Sequence, residues 1–374
     1  MEGFPQSMNK LVINNLLHRP LRTAISVFAV AIEVVMILSI VAIMYGMLND
    51  QKTRISGIGA DMIVRPANAS FMTGVSGAPA PIKVADVLRK VPHIAVVAPV
   101  ITNLSTAGSV ETIWGIDFAS YNALKPFVFV DGGPFKGPND VIIDDYFARA
   151  DKGHKVGDTI KILNHDFRIS GIVEHGKGGR KFLPLDTLGA LMGSEGHATL
   201  FYLKSDNIAN QQLIRTELKS VPGMSDYQVQ TMDEWLSLMT PEHLPAFTTA
   251  LNTVISIAVI VGFLVIFQSM YTAVMERTRE IGILKSLGAS KGYIVGVVLR
   301  ETLVLSVAGV VLGILFSLAL RAFMNYRNPT FSFQLTAEWM IRGALIAFAG
   351  ALLGAVYPAL KAAHKDPIDA LAYE

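Results

Sequence analysis

Four long apolar runs limit what this chain can become. They fall at about residues 21–48, 251–274, 294–323 and 339–360. A hydrocarbon core of about 30 Å is crossed by roughly 20 residues of helix, so each run is long enough to span it. The stretch 49–245 is different: Pro, Gly and charged residues recur throughout it. It is long enough to bury a core of its own. The pattern predicts an α-helical membrane protein with four transmembrane helices and an α/β domain inserted between helices 1 and 2. Loops follow at 324–338 and a tail at 361–374.

The placement of charge orients the spans. Lys10, Arg19 and Arg22 precede the first span, Arg277, Arg279, Lys285 and Lys291 lie between the second and third, and Lys361 and Lys365 follow the fourth. The loop between the third and fourth offers mainly Arg327. Short flanks rich in Lys and Arg stay on the cytoplasmic side. Both termini and the 275–293 segment are therefore expected inside, and the 49–245 domain outside the cell membrane. The first apolar run exceeds the h-region of a signal peptide and lacks a small-x-small cleavage site, so it reads as an uncleaved anchor. Residues 1–20, with Leu11, Ile13, Leu16 and Leu17 among polar neighbours, read as an amphipathic entry helix on the inner surface, turned at Pro20. An irregular N-terminus is the alternative.

Within the domain an order recurs. A strand at 59–64, a helix at 83–90 ended by Val91-Pro92 and a strand at 94–100 are echoed by a strand at 198–204, a helix at 208–220 ended by Val221-Pro222-Gly223 and a strand at 227–231. Two such units can pair in a ferredoxin-like layout. Between them, about 102–197, strand-like runs at 111–116, 140–143, 159–163 and 167–173 suggest a β-rich insertion forming a second lobe.

Several chemistries find no support. The chain has no cysteine, hence neither disulfides nor thiolate metal sites. Its eight histidines are scattered without zinc-ligand spacing and read as surface polar residues; His165 and His175 could meet across a hairpin. No nucleophile elbow occurs. Gly171-Ile172-Val173-Glu174-His175-Gly176-Lys177-Gly178 comes within one residue of a phosphate-binding loop. Gly178 stands where a Ser or Thr hydroxyl would hold a metal ion, and no helix follows. A glycine-rich loop between strands is the better reading. The chain is therefore not read as an enzyme.

Glu33 lies near the middle of the first span, where a charge is costly. It marks either a polar contact at a subunit interface or substrate path, or a protonated acid hydrogen-bonded to a neighbouring helix. The pairs Gly292/Gly296, Gly309/Gly313 and Gly350/Gly354 have the small-xxx-small spacing of close helix packing. They suit packing within one subunit and a dimer interface equally.

The charged segment 275–293 separates the second and third spans. Glu276 and Arg279, three apart, can share a helix face. Ile281, Leu284 and Leu287 form an apolar edge beside Ile283. Gly288 fits a left-handed helix stop and Ser290 the N-cap of the next helix. A short amphipathic plug of this kind suits a hydrophobic groove on a partner; a solvated loop is the bland alternative.

These residues resemble the FtsX/MacB-like permease family of ABC transporters. Glu276, Arg277, Glu280, Ile281, Gly282, Lys285, Leu287, Gly288, Ala289 and Ser290 match its Glu-Arg-x-x-Glu-Ile-Gly-x-x-Lys-x-Leu-Gly-Ala-Ser motif. Glu301, Gly309 and Gly313 follow the family pattern, as do Tyr357-Pro358-Ala359 and Asp366-Pro367-Ile368-Asp369-Ala370-Leu371. Asn15-Leu16-Leu17 with Arg19-Pro20-Leu21-Arg22-Thr23 resembles the entry helix, and Gly59-Ala60-Asp61-Met62-Ile63-Val64 the first strand of the extracytoplasmic core domain. Lys155-Val156-Gly157-Asp158 and Ile169-Ser170-Gly171-Ile172-Val173 are similar to a later part of that domain. Glu33 departs from the family's small or apolar residue.

The resemblance implies a permease subunit in the bacterial inner membrane, dimerised with a second copy or paralogue and bound to two copies of a separate ABC ATPase. Glu276, Arg277, Arg279, Glu280, Ile281, Gly282, Leu284, Lys285, Leu287, Gly288, Ala289 and Ser290 would be the coupling element. ATP and Mg2+ would sit on the ATPase and no cofactor on this chain. An amphiphilic substrate (lipid, lipopeptide, peptide or drug) would be exported or extracted, with membrane lipid, a periplasmic adaptor and an outer-membrane duct as further partners and no nucleic acid. The alternative is a non-transporting regulator of an extracytoplasmic partner such as a cell-wall hydrolase.

Overall fold

The computed structural model describes residues 18–66, 79–105, 111–150, 153–240, 243, 245–327 and 332–366. The expected amphipathic helix through residue 17 and the tail motif from Pro367 onward lie outside the described residues. The chain divides into two compact units, one helical (1–46, 245–326 and 333–374) and one the inserted domain (47–244 with 327–332).

Helix α1 (Pro20–Ser56) opens the described chain and continues past residue 48, where its apolar run ends. Asp50 and Arg54 sustain the extension as an i,i+4 pair at 3.0 Å. Ile55 and Ile58 then enter the same buried cluster as Trp114, Tyr121, Phe182 and Tyr202.

The inserted domain follows in the order β1 (Met62–Arg65), β2 (Ala80–Pro81), α2 (Val84–Leu88), β3 (Ile94–Ser105), β4 (Glu111–Ile116), α3 (Phe118–Leu124), β5 (Phe129–Gly132), β6 (Asp140–Asp144) and α4 (Asp145–Arg149). It continues with β7 (Thr159–Ile162), β8 (His165–Val173), β9 (Lys181–Pro184), α5 (Leu185–Leu191), β10 (His197–Ala198), β11 (Leu200–Ser205), α6 (Gln211–Ser220), β12 (Gln228–Thr231) and α7 (Met232–Ser237). The two strand–helix–strand units meet as expected: strands run β12-β1-β11-β3, and every pairing among them is antiparallel. This is the ferredoxin-like order. The intervening strands differ from the separate lobe suggested by their composition. They prolong the same sheet as β4-β9-β6-β8-β5, with β7 beside β8. The reason is the length of β3: Ile94–Val100 pairs with β11, while Val100–Ser105 pairs with β4. Trp114 stacks on Tyr202 with ring centres 6.0 Å apart, at the junction of the two parts.

Among the described residues four further helices follow: α8 (Pro245–Glu276), α9 (Thr278–Ser286), α10 (Lys291–Arg327) and α11 (Ala337–His364). With α1, helices α8, α10 and α11 are long and apolar enough to cross a membrane. Their shared core takes Val30, Val34, Ile37 and Leu38 from α1, Ala258 and Ile266 from α8, and Leu305 and Val310 from α10. From α11 it takes Ala347, Ala351, Ala355 and Ala359, every fourth residue of one stripe. Such a stripe lets helix backbones approach closely where lipid supplies no hydrophobic drive between helices. Thr336 caps α11 by accepting from the Trp339 amide at 3.4 Å.

Candidate functional site

The segment between α8 and α10 is a short helix flanked by two different stops. Arg277 leaves helical geometry, with φ −107° and ψ 17°, and ends α8. The buried Thr278 reconnects the break, its hydroxyl donating to the Met275 carbonyl at 2.8 Å. At the far end Gly288 adopts φ +93°, a conformation that favours glycine. Ala289 then donates to the Leu284 carbonyl and Gly288 to that of Lys285, both at 3.0 Å, completing a Schellman stop. Ser290 accepts from the Tyr293 amide at 3.2 Å and caps α10.

The break at Arg277 changes one expectation. Glu276 and Arg279 belong to different helices, and Glu276 pairs instead with Arg19 and, at 3.2 Å, with Arg22. Arg22 reaches on to Glu301 at 3.4 Å, and Arg277 meets the same carboxylate at 3.1 Å. Glu301 is buried on α10. One network of three arginines and two glutamates thus joins the start of α1, the end of α8 and α10. Lys285 donates to the Ala363 carbonyl at 3.0 Å and to that of Lys365, where a cation meets the negative end of α11.

Helix α9 therefore has two faces. Arg277, Ile281, Gly282, Leu284 and Lys285 turn toward the bundle, and a cavity of about 60 Å³ behind them is lined by Met270, Val274, Ile281, Leu284, Ile294 and Val298. Arg279, Ile283 and Leu287 face outward, and Leu287 is 80% exposed at the tip, while Glu280 is exposed and also lines the cavity. The residues quoted for the resemblance divide between these faces. Arg19 and Arg22 belong to the network without standing among the candidate coupling residues; an arginine in the first turn of a span reads from sequence only as an orientation signal.

The glycine pairs have identifiable neighbours. A Cβ on Gly309 would lie 2.6 Å from Val30 Cβ, and one on Gly313 2.8 Å from Val34 Cβ, so both face α1. Gly354 faces α8, where an added Cβ would lie 2.7 Å from the Phe263 carbonyl oxygen, and Gly350 lies beside Val259 and Glu33. A Cβ added at Gly292 or Gly296 would meet nothing within 4 Å among the described residues. Glu33 points into the interior of its own bundle and is 3% exposed. Its carboxyl lies against Gly262 of α8, and neither oxygen has a hydrogen-bond partner among the described residues. Among the described residues, then, no neighbouring helix supplies the hydrogen bond expected of a protonated acid at this position.

Two histidine expectations need correction. His175 does not meet His165, whose Nδ1 donates to the Leu163 carbonyl; it sits half-buried between Asp50 and Asp144. The glycine-rich loop carrying it runs from β8 to β9, and a strand rather than a helix follows it. Among the described residues no cluster of His, Asp or Glu could hold a metal ion.

Comparison with known proteins places this geometry. The model of the MacB-like periplasmic core domain matches residues 23–221, and that of the FtsX-like permease C-terminal matches residues 252–367. An uncharacterized ABC transporter permease, YknZ of Bacillus subtilis, is 24% identical over 394 residues, covering 98% of each chain. The macrolide export ATP-binding/permease protein MacB of Brucella abortus is 25% identical over 98% of this chain. This chain spans 60% of that protein's length. The crystal structure of the periplasmic region of MacB from Actinobacillus actinomycetemcomitans aligns with 48% of this chain and 92% of its own, at 17% identity and a TM-score of 0.37. With more than half of its residues matched by the core-domain model and most of the remainder by the permease model, the chain belongs to the MacB-like permease family of ABC transporters.

Proposed function

We propose that this chain is the transmembrane subunit of an ABC transporter, working as a dimer with two copies of a separate ATPase seated on the outward face of α9. In this reading the termini and α9 are cytoplasmic and the inserted domain is extracytoplasmic. ATP-driven movement of the ATPases displaces α9, and the helices carry that displacement to the inserted domain, which exports or extracts an amphiphilic substrate. The chain itself holds no nucleotide.

The observation that carries the reading is the two-faced construction of α9. Its outward face offers exposed Leu287 and Ile283 beside Arg279, while Arg277 and Lys285 bind its inner face to α10 and α11. A push on the tip is thus delivered to the bundle rather than absorbed by a loop. The regulator alternative is not favoured, because the relatives reported above carry the names of an ABC transporter permease and a macrolide exporter.

The test is reconstitution with the cognate ATPase. Arg279→Glu and Leu287→Asp alter only the outward face and are expected to lower stimulated ATP turnover at least tenfold, about 1.4 kcal/mol of coupling. Unchanged turnover in both variants, or labelling of Ser286→Cys only from outside intact cells, would overturn the assignment.

A further inference from the structure

The near-match to a phosphate loop, rejected as a nucleotide site, has another use. His175 in that loop stands between two carboxylates. Its Nε2 lies 3.0 Å from Asp50 Oδ1 on the extension of α1, and its Nδ1 lies 2.7 Å from Asp144 Oδ2 at the end of β6. An ionised carboxylate only accepts hydrogen bonds, so both ring nitrogens must carry hydrogens to make both contacts. That is the imidazolium. Its ring stacks on Tyr146, with centres 4.1 Å apart and planes within 4°, an arrangement that favours a cation.

The neighbours on every side are charged or hydrogen-bonded to the same joint. From α1, Arg54 pairs with Asp50 at 3.0 Å and donates to the Gly178 carbonyl at 2.6 Å, while the Gly178 amide donates to the Arg54 carbonyl at 2.9 Å. Beyond the loop, Arg180 reaches Asp50 at 3.0 Å. From α4, Asp145 accepts from the His175 amide at 2.9 Å. Within the loop Glu174 is exposed, and Lys177 donates away from the cluster to the Lys125 carbonyl at 2.9 Å. Gly57 is required at the contact, since a Cβ there would overlap the Gly176 carbonyl.

We propose that His175 is a proton-operated fastener: as imidazolium it ties Asp50 on the end of α1 to Asp144 of the sheet, and loss of its proton loosens the end of α1 from the 174–180 loop. The inference rests on this cluster alone and is independent of any ATPase partner. With a neutral ring, one nitrogen turns a lone pair toward a carboxylate, so one hydrogen bond becomes a repulsion. Arg54 and Arg180 already answer the charge of Asp50, which leaves Asp144 as the carboxylate most in need of the imidazolium.

The direction of the pH dependence follows from the same contacts. Burial alone would lower the ring's proton affinity, but the hydrogen bonds to Asp144 and Asp50 and their charges outweigh it and raise the affinity above the ordinary imidazole value. A group raised on folding gives its full stabilisation below its unfolded value and loses it as pH rises through the folded one. The joint is therefore closed in acid and near neutrality and loosens on the alkaline side.

The chain has no cysteine, so Thr53→Cys and Asp186→Cys, both at exposed positions of the inserted domain, can carry spin labels in the full chain in nanodiscs. One narrow distance is expected at about pH 6 and a broad second component by about pH 9, growing about tenfold per pH unit above the folded-state value. His175→Gln is expected to abolish that pH dependence, and Asp144→Asn, which can still cap α4, to move the transition to lower pH. A parent distribution unchanged across the range, a His175→Gln curve identical to the parent, or an Asp144→Asn transition that stays in place would each overturn the proposal. The last arm decides the matter even if His175→Gln fails to fold.

Discussion

Arg277, the residue at which α8 breaks, donates to Glu301 of α10 at 3.1 Å. Glu301 lies 24 residues further along the chain, is buried, and also receives Arg22 of α1 at 3.4 Å. The hairpin is thus fastened at its root by a carboxylate that belongs to the following span.

Removing one partner of this network leaves the other charge buried. Arg277→Met is expected to cost about 3 kcal/mol, read from thermal unfolding of the solubilised chain. The double variant Arg277→Met with Glu301→Met is expected to cost less than Arg277→Met alone, because it removes a buried carboxylate that the single variant leaves to Arg22 alone. Strictly additive losses would show that the two residues act separately.

The packing of α10 on α1 leaves no room for a side chain at Gly309 or Gly313, whose added Cβ atoms would come within 2.8 Å of Val30 and Val34. Gly309→Ala and Gly313→Ala are expected to cost about 1–3 kcal/mol each, as overpacking does. Gly292→Ala, whose added Cβ would meet nothing within 4 Å among the described residues, is expected to stay within about 0.5 kcal/mol of the parent. Equal losses at all three positions would deny the specific contact with α1.

Glu33 holds two carboxyl oxygens inside the bundle, against Gly262, that have no hydrogen-bond partner among the described residues. Glu33→Met keeps an unbranched side chain of similar length and removes the unsatisfied polar atoms. It is expected to stabilise the chain by about 1–3 kcal/mol in the same unfolding assay. A destabilised variant would show that the carboxyl contributes a favourable interaction to the fold.

What could be read from sequence was what depends on neighbours in the chain. The Gly288 stop and the Ser290 cap need only a few consecutive residues, and both take the expected geometry. The two strand–helix–strand units were legible for the same reason, since periodicity and the Val-Pro stops are local. The extent of α1 was not: apolarity ends at residue 48, while the helix runs to Ser56. Contacts with the sheet, at Ile55 and through Arg54 to Gly178, hold that extension.

The candidate site shows the same division. Motif spacing drew attention to the stretch from Glu276 to Ser290, but could not tell its inward side chains from its outward ones. That distinction comes from partners as distant as Arg22 and Ala363. His175 read as a surface residue in a glycine-rich loop because Asp50 and Asp144 are remote in the chain and reach it only through folding.

The sequence by itself determined four spans, their intervening domain and the turn chemistry of the hairpin, because hydropathy, helix stops and caps act over a turn or two of chain. Only the tertiary structure decided that Gly309 and Gly313 receive α1, that Glu33 meets Gly262, and that one sheet unites both parts of the domain. Those choices depend on shape and charge matched between surfaces far apart in sequence, and no local preference encodes such a match.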